Sequence, residues 1–302
     1  MASGLLAGFA KPQQFEDLCQ KIDFQPQNQP CEGQVAFLTC DEPNSWIGHF
    51  DEILVLVRGY ATLPGSDSVA TPKDFARHVY QRYESEQSCS LSDCEGNFSV
   101  VIVDAQKATL LAYRNIASNR YTYVHQSSDL VLVSSNLAMV SHLADLKPNH
   151  RSLPALFMFR TCPGAETLFQ DIKRLLPGQS LRFVGDECKI TQEQTFADLA
   201  SPQTVSSDEA IRQWDGLFDT VHRNIAQIDP AAVTMLSGGV DSCMVHAHWM
   251  NESRIPATQI ASMSIATEAE ETQADTQYAL SLSLIHISEP TRQEASRMPS
   301  SA

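Results

Sequence analysis

Six consecutive residues, Ser237-Gly238-Gly239-Val240-Asp241-Ser242, constrain this chain more than any others. They follow a short apolar run, 231–236, that reads as a strand, and they open a stretch, 241–250, that reads as a helix. Two glycines let the backbone turn tightly, so successive N–H groups can point at one anion, and the following helix presents its positive end to the same spot. The hydroxyls of Ser237 and Ser242 can add hydrogen bonds. Asp241 is too acidic to hold a phosphate directly and suits the Mg²⁺ that accompanies a nucleotide. The plainer alternative is a Ser-Gly-Gly turn with Asp241 as helix cap. At average residue usage the pattern arises roughly once in a million positions, and its strand-to-helix setting favours a phosphate loop. No Gly-Lys-Ser/Thr follows the glycines, so this is not a Walker loop.

Around the loop the pattern is that of a doubly wound, parallel α/β sheet. Asp208 reads as the cap of a helix that runs to about Ile228, with Ile211, Trp214, Leu217, Phe218, Val221 and Ile225 forming an apolar stripe. Pro230 ends it, and 260–266 reads as a second buried strand. Residues 201–207 are a polar linker. Ahead of it, 33–40, 51–59, 98–104, 109–114, 121–125 and 130–134 read as short strands. Thr71-Pro72-Lys73-Asp74 starts a helix that continues through Tyr83 with Phe75, Val79 and Tyr83 on one face. Two further short helices are expected over 137–146 and 152–160. This first region is an antiparallel-sheet α+β domain.

Composition narrows the partners. The formal net charge of the 302 residues is −15, which argues against nucleic acid, whose phosphates would be repelled. No apolar run approaches the roughly 18 residues of a membrane helix, and the first nine residues lack the basic flank of a signal peptide. The eight cysteines form no CxxC pair, so neither a zinc site nor a disulfide framework is indicated and a reducing, cytoplasmic setting fits best. His246 and His248 are two apart on a helix and cannot form an i, i+4 metal pair. Cys243 reads as a small buried helix residue, and Arg114 and Arg174 as surface or structural residues.

Ser-Gly-Gly-x-Asp-Ser after an apolar strand resembles the PP-loop of the ATP pyrophosphatase superfamily. Leu168-Phe169-x-x-Ile172-Lys173-Arg174-Leu175-x-Pro177-Gly178 is similar to a segment of asparagine synthetases. Glu95-Gly96-Asn97-Phe98-Ser99, Arg114-Asn115 and Ser134-Ser135 follow the order of that family's signposts, and Ser262-Met263-Ser264-Ile265 and Asp275-x-x-Tyr278-Ala279 continue it. The resemblance covers nearly all of residues 4–280. It implies an Ntn-type αββα sandwich over 1–200, similar to a glutamine amidotransferase domain, and the beginning of an α/β PP-loop synthetase domain over 201–280. It further implies an AMP-forming amide ligase that adenylates a small carboxylate with ATP and Mg²⁺ and couples it to ammonia or an amine, and a homodimer fits it. Carried over, Ser237, Gly238, Gly239 and Ser242 would hold pyrophosphate and Asp241 the metal. Leu236 and Ile265 would contact the adenosine, or else are simply buried strand residues.

Two departures matter. Class II glutaminases use an N-terminal cysteine, and here the chain begins Met1-Ala2-Ser3-Gly4. Ser3 is a weak substitute for that nucleophile. Where the family has Asn-Gly-Glu to hold glutamine, this chain has Arg58-Gly59-Tyr60. The glutaminase is therefore expected to be dead, as in β-lactam synthetase-like ligases, with a non-catalytic scaffold and a glutamine-hydrolysing synthetase with a variant nucleophile as alternatives. The family pattern fades after Ala279. Residues 281–302 read as a non-native or disordered tail similar to translated adapter sequence, so the chain is expected to be truncated and inactive by itself.

Overall fold

The structure, a computed structural model, describes residues 4–21, 26–31, 34–40, 42, 44–127, 130–143, 146–185, 187–200, 202, 204–229, 232–237, 239–252 and 262–263. Ser3, Gly238, Ile265, most of the expected strand 260–266, the helix expected from Asp275 and the tail 281–302 lie outside these residues. The chain divides into two units, Met1–Pro202 and Gln203–Ala302.

In chain order the first unit contains β1 (Leu5–Ala10), α1 (Pro12–Lys21), β2 (Gln27–Cys31), β3 (Gln34–Cys40), β4 (Ser45–Phe50), β5 (Ile53–Thr62), α2 (Pro72–Glu86), β6 (Glu95–Asp104), β7 (Thr109–Arg114), β8 (Tyr123–Gln126) and β9 (Leu130–Ser134). It continues with α3 (Leu137–Leu143), a 3-10 turn (His150–Ser152), α4 (Leu153–Phe159), β10 (Ile172–Arg174), β11 (Gln179–Val184), β12 (Glu187–Gln192) and α5 (Phe196–Leu199). Two six-stranded sheets result, in the orders β10-β8-β9-β1-β3-β2 and β12-β11-β7-β6-β5-β4. All their pairings are antiparallel.

Strand alternation sorts the side chains into layers. Leu5, Ala7, Phe9, Leu38, Val131 and Val133 of the first sheet meet Leu54, Leu56, Val101, Val103, Leu110 and Ala112 of the second in a central core. The opposite face of the second sheet (Val55, Val57, Val100, Ile102, Tyr113) packs on Phe75, Val79 and Tyr83 of α2. The opposite face of the first (Leu6, Ala10, Phe37, Leu132) packs on Leu18 of α1 and on Met139 and Val140 of α3. The unit is thus a helix–sheet–sheet–helix sandwich. Helix α2 starts on Thr71, whose Oγ1 accepts from the Asp74 amide at 3.2 Å, with Pro72 at the first helical position.

The second unit contains α6 (Ser207–Ile228), β13 (Thr234–Met235), α7 (Val240–Glu252) and β14 (Ser262–Met263). β13 and β14 pair in parallel, Thr234 with Ser262 and Met235 with Met263. Two details differ from the sequence reading. The cap of α6 is Ser206, whose Oγ accepts from the Glu209 amide at 3.3 Å, and Asp208 lies inside the first turn. Of the expected stripe, Ile211, Trp214, Leu217 and Val221 are each at least half exposed. Among the described residues no helix is long and apolar enough to cross a membrane.

Candidate functional sites

One end of the sandwich is polar where the rest of its interior is apolar. Arg58 pairs in register with Ser99, and Ser99 with Arg114. All three share the parity of Leu56, Val101 and Ala112, so they extend the row that faces the other sheet. From that sheet, Ser135 continues the parity of Val133, and Thr122 that of Val124. Arg58, Ser99, Arg114 and Thr122 are all buried, at 2, 3, 5 and 2% exposure.

Glu42 ties the sheets together here. Its Oε2 lies 3.1 Å from Arg58 Nε, an ion-pair contact without hydrogen-bond alignment, and 3.3 Å from Arg120 Nη1. Its Oε1 accepts from the Ser135 hydroxyl, whose oxygen in turn accepts from the Leu5 amide at 2.8 Å. The start of β1 is thereby connected to Arg58. Arg58 Nη2 also donates to the Tyr121 carbonyl at 3.2 Å. Burial pulls the Arg58 pKa below the ordinary arginine value, Glu42 opposes that, and Arg120 and Arg114 add to it. Gly59 has φ +96°, and a Cβ there would lie 2.0 Å from the Asn97 carbonyl oxygen, so only glycine fits between Arg58 and Tyr60.

Arg114 and Arg174 bind carbonyls. Arg114 Nη1 and Nη2 donate to Leu175 and Ser118, each at 2.8 Å. Arg174 donates to the carbonyls of Cys162 and Gly164. Both guanidinium groups also lie over the Tyr121 ring, at 5.5 and 5.2 Å. These are structural roles, in keeping with the sequence reading. The Glu42–Ser135 link was not legible there: the residues are 93 apart, and Glu42 stands in no motif.

In the second unit, Leu236 is buried and leads from β13 into the loop, while Ser237 and Asp241 are exposed. The Ser237 and Ser242 hydroxyls are 2.9 Å apart, and Ser242 Oγ accepts from the Ser237 amide at 3.2 Å. The Gly239 amide points at Ser237 Oγ, 3.4 Å away, and its carbonyl accepts from Ser242 Oγ at 3.0 Å and from the Cys243 amide at 3.0 Å. Helix geometry leaves the first N–H groups of α7 without intrahelical acceptors. Asp241 lies in that first turn. The helix is anchored from behind. His246 Nδ1 lies 2.7 Å from Thr234 Oγ1, and His248 Nδ1 lies 2.8 Å from Asp219 Oδ1 of α6. Cys243 is half-buried on α7.

Residues 77–196 match the family model of the glutamine amidotransferase domain. This stretch includes most of α2, all of β6 to β12 and the start of α5, and it begins downstream of Arg58. No curated protein matches the chain. Among solved structures, a glutamine phosphoribosylpyrophosphate amidotransferase from B. subtilis complexed with ADP and GMP is similar at 9% identity with a TM-score of 0.35, covering 86% of this chain and 65% of that one. An allosteric regulatory enzyme of purine biosynthesis is similar at 9% identity with a TM-score of 0.37, covering 90% and 63%. The chain therefore spans less than two thirds of the length of either protein. Within the first unit, residues 77–196 are similar to a glutamine amidotransferase domain.

Proposed function

We propose that the protein is an ATP-dependent, AMP-forming amide ligase of the asparagine synthetase kind, built on a glutamine amidotransferase-type domain that does not hydrolyse glutamine. The observation that carries the ligase reading is the strand–loop–helix at Ser237–Ser242, with its strand in a parallel pair and two facing hydroxyls at the loop mouth. The residues fit a phosphate group. The Ser237 and Ser242 hydroxyls lie 2.9 Å apart next to the start of α7, whose first N–H groups favour an anion, and Gly239 adds no side chain there.

Among the described residues no group of three or more His, Cys, Asp or Glu gathers to hold a metal. A single exposed Asp241 suits Mg²⁺, which takes one or two carboxylates and otherwise binds nucleotide phosphates and water. When bound, the metal would neutralise charge on the leaving pyrophosphate. Ser237, Gly238, Gly239 and Ser242 would bind and orient that group, and Leu236 and Ile265 would bound the adenosine. The substrates would be a small carboxylate and ammonia or an amine.

The Arg58–Glu42 pair supports the absence of glutaminase activity. It replaces the amide and carboxylate of Asn-Gly-Glu with a guanidinium already paired to an internal carboxylate. A working amidotransferase is the second reading, favoured by the match over residues 77–196, and it would rely on Ser3. Glutamate release from glutamine that disappears in Ser3→Ala would establish it and displace the scaffold reading. The ligase reading is tested by calorimetric titration of ATP with and without Mg²⁺. It expects Mg²⁺-dependent binding that Asp241→Ala abolishes, and undiminished binding in that variant would refute the site.

A further inference from the structure

A cavity of about 690 Å³ lies by β10, the edge strand of the first sheet, between Asn149–Ser152 on one side and Glu166, Gln170 and Lys173 on the other. It shares no residue with the Arg58 cluster or with the loop at Ser237–Ser242. A short local pairing builds its walls. The Asn149 amide donates to the Leu168 carbonyl at 2.7 Å and the Gln170 amide to the Lys147 carbonyl at 2.9 Å, with Pro148 and Phe169 bridged between them. The volume falls within the roughly 300–1,000 Å³ of small-molecule sites. Among the described residues no apolar side chain lines it, so its occupant is polar.

The lining groups have donors to spare. Asn149 and Ser152 are more than nine-tenths buried. Asn149 Nδ2 donates to Ser152 Oγ at 2.9 Å and to Glu166 Oε2 at 3.0 Å. The Ser152 hydroxyl therefore accepts, and among the described residues it gives its own proton to no group. Glu166 Oε1 accepts from Lys173 Nζ at 2.5 Å, which leaves that ammonium two further protons. The bond from Lys173 and, after it, the one from Asn149 hold the Glu166 carboxyl below the usual range against burial. Arg151 is exposed and makes neither a hydrogen bond nor an ion pair among the described residues, so its whole fork of donors is available. Two cations thus face one carboxylate, in a chain whose net charge is −15.

We propose that this cavity binds a small phosphate monoester, its phosphate held by Arg151, Lys173 and Ser152 and its polar remainder lying against Asn149 and Gln170. A phosphate accepts from several directions, which suits donors that come from the 3-10 turn and from β10, and its charge matches the unpaired guanidinium of Arg151. The ester is favoured over the free ion by size, since the cavity holds about twenty times the roughly 30 Å³ share of one water molecule. Amide groups such as Asn149 and Gln170 both donate and accept, as a hydroxylated remainder requires. Binding here makes and breaks no covalent bond, and it does not rest on the ligase reading.

The test is calorimetric titration of the full chain, without Mg²⁺, with glycerol 3-phosphate, inorganic phosphate and glycerol. Glycerol 3-phosphate binds, inorganic phosphate binds more weakly, and glycerol gives no heat of binding. Arg151→Gln, an exposed change that leaves the core untouched, weakens glycerol 3-phosphate about tenfold, the loss of one charge-assisted contact. Glu166→Gln keeps the side-chain shape, removes the like charge and frees Lys173, so it strengthens binding about tenfold. The opposite signs of the two variants separate this cavity from the phosphate loop, which neither residue adjoins. No binding of glycerol 3-phosphate, or undiminished binding in Arg151→Gln, would overturn the proposal. Weakening in both variants would refute the arrangement of charges. Inorganic phosphate that binds as tightly as the ester, or glycerol that does so, would overturn the ligand class.

Discussion

Tyr83 offers a quantitative check on the packing of α2 against the second sheet. Its ring is fully buried, and its hydroxyl donates to Asp104 Oδ2 at 2.7 Å, where Asp104 is itself 2% exposed. The other Asp104 oxygen accepts from the Lys107 amide at 3.0 Å, and Lys107 Nζ lies 3.6 Å from Oδ2 and 5.2 Å from the Tyr83 ring centre. Tyr83→Phe keeps the ring and opens no cavity, so the change isolates one charge-assisted hydrogen bond to a buried carboxylate. Such bonds contribute about 1.5–3 kcal/mol. In a unit the size of Met1–Pro202 that lowers Tm by about 3–12 °C, at about 2–4 °C per kcal/mol. The pH dependence has a definite sign. Burial, then the bond to Asp104, holds the Tyr83 pKa well above the ordinary tyrosine value. The stabilisation is therefore complete below the unfolded value of about 10 and is lost as pH rises above it towards the folded value. Melting curves of both proteins should differ by a constant amount from pH 7 to 9 and draw together as pH rises above about 10. A Tm change under about 1 °C at pH 7, or a gap that does not narrow between pH 10 and 11, would refute the reasoning.

Further outcomes follow from local geometry. Gly8→Ala would place a Cβ 1.9 Å from the Val131 carbonyl oxygen in the middle of β1. It should destabilise the first unit by about 3 kcal/mol or prevent folding, read by urea denaturation. Thr71→Ala removes the cap of α2 and should cost about 1 kcal/mol in the same assay. Cys19, Cys89, Cys94 and Cys243 are free thiols. Burial pushes the Cys94 thiol up to about 12 and raises Cys89 as well, so at pH 8 both should resist alkylation until the chain unfolds, while Cys19 and Cys243 react in the folded protein. Mass-spectrometric labelling distinguishes the two classes.

The strands that the sequence made legible are those with one clear pattern. β7 and β9 have the expected bounds, β6 begins three residues earlier than expected, and β5 begins two residues later and ends three later. β1 was hidden because both of its faces are buried, Leu5, Ala7 and Phe9 between the sheets and Leu6 and Ala10 under the helices. Such a strand reads as a featureless apolar run. β2 and β12, QNQPC and ECKITQ, are polar edge strands with no alternation to detect. In the site, Arg58 stood out because it breaks an expected motif. Its partner Glu42 did not, since that pairing arises only when the two sheets close on each other. The strand, turn and helix around Ser237–Ser242 were legible because their geometry is local, the three following within a dozen residues.

Competition binding at the loop addresses the central claim, that Ser237–Ser242 holds the pyrophosphate part of a nucleotide. With Mg²⁺ present and ATP bound, inorganic pyrophosphate should displace ATP. ATP binding indifferent to pyrophosphate would contradict the account.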